Sequence, residues 1–280
     1  MDGALTALGT VTLSAPDAVL LKADLQTLVG RRAEAARTLR MAIRADGGTE
    51  ATWLALAALS DPGAPRLDVL REALTGLPAS LALRVGAATE WLRTGNRDNA
   101  RSEAELVLRQ DPTNRDAWMV RADVVRAASA AEASAFATRL MKLAPQNGGL
   151  VLAVADHVAG LVRSSGPELP RRLASSLRDA DGRWFPGANA RMTVARLFAA
   201  VEDWTPALSA VQQALADAPD SRPAQRLRAD ILGWSGRHEE SLAAYDRYLA
   251  EGPMDWDAAR QRARVAGWAG MYARARTVLR

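Results

Sequence analysis

The chain has 280 residues, 49% hydrophobic and 24% charged, and its lack of cysteine excludes disulfides and thiolate metal sites while leaving cytoplasm and periplasm both open. Thirty-six basic residues exceed 32 acidic ones by only four, and with two His and three Tyr little titrates in between, so the pI near 10.0 is a weak pointer to nucleic acid. Arg supplies almost all of the positive charge, Lys22 and Lys142 being the only lysines, and abundant Ala, Leu and Arg beside three Phe and three Tyr point to an all-α chain.

A 34-residue step runs through the sequence: Pro78 and Pro112 are 34 apart, as are Pro219 and Pro253, Gly236 and Gly270, and Trp234 and Trp268. Proline just past an amphipathic run marks a helix end, because its ring supplies no backbone donor. Each step is long enough for two helices and a turn.

In chain order, the first predicted helix pair runs from Pro16 to Thr49, with Ala23, Gly30, Ala35, Leu39 and Ala42 at the repeating positions. The second runs from Glu50 to Ser80, with Trp53, Ala73, Leu74, Pro78 and a shortened loop. The third starts at Leu81, with small residues Ala88 and Ala100, large Trp91, turn glycine Gly95 and terminal Pro112. Arg115 to Asn147 carries Trp118 and Ala122, with Ser129 where the turn glycine is expected. Gly148 to Gly187 is divergent, with helices expected near Leu150–Arg163 and Glu168–Arg178 and a loop holding Trp184 and Phe185. Ala188 to Ser221 has Ala195, Phe198, Ala207, Ala214 and Pro219, again without a turn glycine. The pair from Arg222 has Ala229, Gly236, Tyr245 and Pro253, and the last, from Trp256, has Ala263, Gly270, Tyr272 and Ala275.

These residues resemble the tetratricopeptide-repeat family, whose unit is two antiparallel helices with small residues at the crossing and a proline at the end. The resemblance implies an all-α, right-handed solenoid of about eight units. Residues 1–147 would hold units 1 to 4, 148–187 the divergent pair, and 188–280 units 6 to 8 with the last cut short. Alanine at the crossings would let helix axes approach to about 8 to 9 Å. Met1-Asp2-Gly3-Ala4 opens without a basic leader, no long uncharged apolar stretch occurs, and the helical pattern is still running at Arg280, so the sequence reads as a fragment that does not insert into a membrane.

Nothing here has the pattern of a catalytic, cofactor or metal site, and no enzyme is expected. His157 and His238 stand in different units without metal-ligand spacing. Glu239-Glu240 opens a helix, where negative charge favours the dipole. Gly47-Gly48 and Gly148-Gly149 read as turns between units rather than phosphate loops, and Ser164-Ser165-Gly166-Pro167 as a loop rather than a nucleophile elbow.

Two Gly-Trp-[Ser/Ala]-Gly turns, at Trp234 and Trp268, admit two readings: an indole that packs over the next unit, or one that stacks on a sugar ring or grips a partner. Similar turns are associated with repeat regions of outer-membrane exopolysaccharide exporters. Residues 222–280 hold 11 Arg against 7 acids, so the other 221 balance at 25 each and the whole surplus lies at the C-terminal end.

By the resemblance, the inner face of the solenoid would carry Arg226, Asp230, Trp234, Arg260, Arg264 and Trp268, with Met119, Asp123 and Arg126 in an earlier unit. Arg beside Trp suits an acidic protein segment or a glycan, and a solvated charged face is the plain alternative. The expectation is a non-enzymatic scaffold for protein partners, with polysaccharide as a further ligand, in the periplasmic part of an exopolysaccharide export and biofilm system. The alternative is a cytoplasmic or lipoprotein scaffold that binds a peptide segment, as in pilus assembly. Nucleic acid is not expected, because aromatics are not interleaved with basic residues.

Overall fold

The computed structural model describes residues 16–125, 129–161, 166–180, 185 and 187–271, and it forms two compact units, 1–124 and 125–280. In the first are α1 (Pro16–Leu28), α2 (Arg32–Asp46), α3 (Glu50–Leu59), α4 (Ala64–Gly76), α5 (Leu81–Arg93) and α6 (Arg97–Gln110), with α7 (Arg115–Val125) closing it. In the second are α8 (Ala130–Met141), α9 (Ala144–Gly160), α10 (Glu168–Asp179), α11 (Ala188–Ala200), α12 (Trp204–Asp217), α13 (Arg222–Trp234), α14 (His238–Ala250) and α15 (Trp256–Trp268). Fifteen helices, packed within each unit mostly on their neighbours in sequence, make this an all-α helical repeat array among the described residues.

The helix ends have local causes. Asn96 and Asp255 accept from backbone N–H groups three residues on, Thr49–Thr52 and Ser129–Glu132 form reciprocal capping boxes, and Ser80 caps α5. Ser129, standing where a turn glycine was expected, is thus a helix cap. Pro78, Pro112, Pro219 and Pro253 each lie two or three residues past the end of α4, α6, α12 or α14, as the 34-residue step implies. Carbonyls in the linkers before the first helices are taken by side chains six residues on: Trp53 Nε1 donates to Gly47 at 3.1 Å, Trp118 Nε1 to Pro112 at 2.9 Å, and Gln225 Nε2 to Pro219 at 3.0 Å.

Small residues sit at the crossings. Ala88, Ala100, Ala195, Ala207 and Ala229 are fully buried, and Ser241, one step after Ala207, donates from Oγ to the Ala229 carbonyl at 2.7 Å. Gly233 is needed for the same closeness, since a Cβ there would stand 2.8 Å from Val265 and 3.0 Å from Ser241 Oγ. Ala263 is only half-buried. Tyr272 and Ala275, expected to complete the last pair, lie outside the described residues, as does Trp184.

Two features depart from the sequence reading. Gly148-Gly149 is not a turn: α9 runs through it, and the break is a kink at Asn147 (φ −136°, ψ 46°). Charge also enters the core. Glu90 is buried between Arg66 (3.3 Å) and Arg93 (3.2 Å) and accepts from the Gly63 N–H at 2.7 Å, tying α5 to the start of α4. Arg121–Glu105 and Arg262–Asp246 are ion pairs with the same 16-residue spacing, each joining the second helix of one pair to the first helix of the next.

Candidate partner-binding groove

The first helices of successive pairs in the second unit, α9, α11, α13 and α15, line an open groove of about 1300 Å³. One register position recurs along it. Asp156 on α9, Arg196 on α11 and Asp230 on α13 all face the groove, the last two one 34-residue step apart and the first two 40 apart across the divergent pair. Arg196 Nη2 donates to Asp156 Oδ1 at 2.8 Å and Nε to the same oxygen at 3.1 Å, so these two neutralise each other. Asp230 is half-buried and accepts from the Tyr245 hydroxyl on α14. Burial raises the Asp230 carboxyl above the ordinary aspartate value, while the Tyr245 hydrogen bond and the Arg226 charge oppose the shift. Burial and the neighbouring carboxylate push the Tyr245 phenol far up.

One helical turn past Asp230 on α13, and at the matching position on α15, are Trp234 and Trp268, 45% and 52% exposed, both lining the groove. Packing therefore accounts for only about half of each indole. His238 opens α14 on the same surface, its ring 6.4 Å from Trp268 and tilted by 46°. Trp204 holds the equivalent place at the start of α12, 34 residues earlier.

Glu202 completes the lining and is the one non-glycine with positive φ (60°) among the described residues. It stands one step before Gly236 (φ 80°) and two before Gly270 (φ 71°), in the left-handed turn that the repeat requires. A Cβ in that region costs about 1 to 2 kcal/mol, which glycine avoids. The carboxylate is exposed, and no ion pair holds it among the described residues.

Of the residues assigned to the inner face from sequence, Asp230, Trp234 and Trp268 meet in this groove. The three arginines do not line it. Arg226 Nη1 donates to Asp255 at 2.8 Å, where Tyr248 also donates at 2.8 Å, so it binds α13 to the start of α15. Arg260 is paired with Asp257 on its own helix, and Arg264 donates to Gln261 at 3.2 Å. Met119 and Asp123, both half-buried, belong to α7 in the first unit, and Arg126 lies outside the described residues. Asp156, Arg196, Glu202, Trp204 and His238 were missed. A backward step of 34 from Asp230 reaches Arg196, and from His238 it reaches Trp204, so the period held that information.

Among the described residues no group of three or more His, Cys, Asp and Glu is placed to hold a metal, and no helix is long and apolar enough to cross a membrane.

No family model matches the chain, and no curated protein does. Among solved structures it is similar to a tetratricopeptide repeat protein from Parabacteroides merdae, at 14% identity and TM-score 0.49, over 93% of this chain and 89% of that one. It is also similar to PilW, described as a widely conserved type IV pilus biogenesis factor, at 17% identity and TM-score 0.44, over 71% and 90%. YrrB, described as a TPR protein with an unusual peptide-binding site, is similar at 11% identity and TM-score 0.34, over 76% and 90%. Likeness at this level bears on neither partner nor activity, and the helical repeat architecture rests on the helix pairs themselves.

Proposed function

We propose that this chain is a non-enzymatic interaction scaffold whose second unit holds a partner in the groove between α9, α11, α13 and α15. The observation that carries this reading is the pair of half-exposed indoles, Trp234 and Trp268, one 34-residue step apart on the wall of a groove of about 1300 Å³. Large rigid aromatics in a concave surface supply desolvated contact area at little entropic cost, which is how a few side chains come to dominate a binding interface. The second of the two readings of the Gly-Trp turns is thereby favoured, and with it the assignment of Asp230, Trp234 and Trp268 as partner contacts. Arg226, Arg260, Arg264, Met119, Asp123 and Arg126 remain candidates for contacts outside the groove.

The finer setting we propose is the periplasmic part of an exopolysaccharide export system, supported by the tryptophan turns, since an indole face stacks equally well on a sugar ring. Arrayed peptides and neutral and anionic oligosaccharides, titrated by calorimetry against the chain and its Trp234→Ala and Trp268→Ala variants, test both levels. A probe that binds and loses about tenfold or more in affinity in either variant, with the melting temperature preserved, supports the groove. Oligosaccharides bound in preference to every peptide would support the export setting through a glycan contact, and peptides alone would make the occupant a protein segment, which suits a protein partner of the export setting as well as the pilus-type alternative.

A further inference from the structure

We infer that the groove's occupant is a peptide carrying a lysine or arginine, whose cationic head sits between the indoles and is countered by Glu202 and Asp230. This rests on the groove being the binding surface and goes beyond it by naming the partner's charge. Charge complementarity carries the argument. The lining has three carboxylates, Asp156, Glu202 and Asp230, and one guanidinium, Arg196. The Arg196–Asp156 pair cancels, at 2.8 Å, leaving Glu202 and Asp230 as the excess. The arginines of this end of the chain are not among the groove's lining residues: Arg226 is paired with Asp255 and Arg260 with Asp257, and Arg264 donates to Gln261, so the charge of Arg226, shared with Asp255, offsets only part of that of Asp230. An acidic segment would therefore meet like charge, whereas a cation gains both the carboxylates and the negative faces of the exposed indoles.

A second observation is independent of charge. Glu202 occupies a left-handed turn at φ 60° where the next two repeats use glycine, Gly236 and Gly270. Glycine would be the more stable residue there, so the carboxylate stands on the groove wall at a backbone cost.

The test uses two ten-residue peptides, one alternating lysine with alanine and one alternating glutamate with alanine, with cellohexaose as a neutral probe, titrated against the full chain. Glu202→Gly is the informative variant, because it removes the carboxylate and at the same time relieves the turn, so lost binding cannot be lost folding. The lysine peptide is expected to bind, to weaken as salt rises, and to lose about fivefold in affinity in Glu202→Gly and more in Trp268→Ala. Unchanged lysine-peptide affinity in Glu202→Gly, equal or tighter binding of the glutamate peptide, or no binding of the lysine peptide would each overturn the inference. If the glutamate peptide or cellohexaose binds and Trp234→Ala or Trp268→Ala abolishes it, the groove stands and only its cationic occupant falls. If some probe binds and neither indole variant affects it, the groove itself is the wrong surface.

Discussion

Glu202 and Gly236 occupy the same backbone position one 34-residue step apart, with φ 60° and 80°, yet only one of them is a residue suited to it. The turn between paired helices is left-handed here as it is at Gly30, Gly95 and Gly270, and at Glu202 a residue with a Cβ bears it. Glu202→Gly is therefore expected to raise stability by about 1 kcal/mol, and Gly236→Ala to lower it by about the same amount. Thermal melts of the two variants check this, and a fall in melting temperature for Glu202→Gly would show that the side chain holds the turn rather than strains it.

Asp230 and Asp255 predict opposite pH dependences. The folded state raises the Asp230 carboxyl, chiefly by burial, so its contribution to stability is greatest below the ordinary aspartate value of about 3.9 and is lost as pH rises through the folded value. At pH 7 the charged form is a cost, and Asp230→Asn, which can still accept from Tyr245, should raise the melting temperature there and lose that advantage in acid. Asp255 is held below its ordinary value by the Ala258 N–H first, then by the Tyr248 hydroxyl and Arg226. Its contribution is present at neutral pH and lost as pH falls through that lowered value, so Asp255→Ala should cost about 1 kcal/mol at pH 7 and little in strong acid. Melting curves recorded from pH 2.5 to about 8 separate the two, since one difference must be positive at neutral pH and the other negative.

Glu90 is the buried charge whose removal should hurt most. Glu90→Leu would leave the Gly63 N–H and the Arg66 Nη1 without their acceptor, Arg66 keeping its bonds to the Ala57 and Ser60 carbonyls, and is expected to cost about 2 to 4 kcal/mol, while Glu90→Gln, which keeps an acceptor oxygen, should cost less. Denaturant titration of the two variants gives the comparison, and equal losses would mean that the pocket's shape matters rather than its hydrogen bonds.

Crossing alanines should differ in a graded way. Ala229 is fully buried and Ala263 only half-buried, so Ala229→Leu is expected to cost about 1 to 3 kcal/mol and Ala263→Leu distinctly less. Equal melting temperatures would contradict the packing described around Ser241 and Gly233.

Much of this fold was legible because its determinants are residue types with single uses. Proline past a helix end and alanine at a crossing recur at a fixed step, and Pro78, Pro112, Ala88 and Ala229 stand where the step puts them. Asn147 was not legible, because Gly148-Gly149 advertises a turn more loudly than the residue that makes the kink. Glu202 was not legible either, since nothing about glutamate marks a left-handed turn. Of the groove's lining, Trp234, Trp268 and Asp230 follow from the family resemblance, which says which side of each first helix faces inward. The partners of the arginines were only partly legible: Asp257 stands three residues before Arg260 on the same helix, a spacing that sequence shows, whereas Asp255 reaches Arg226 from the start of the next first helix, which no spacing on one helix shows.

The central claim is that the groove beside Trp234 and Trp268 receives the partner, and the indole N–H resonances of the eight tryptophans test it most directly. Single Trp→Phe variants assign them, and the spectrum is then followed as the best-bound peptide or oligosaccharide is added. The signals of Trp234 and Trp268 should shift together and saturate with the calorimetric affinity, while those of Trp53 and Trp118, held by the Gly47 and Pro112 carbonyls, stay in place. Saturable shifts confined to other tryptophans, with Trp234 and Trp268 unmoved, would contradict the account.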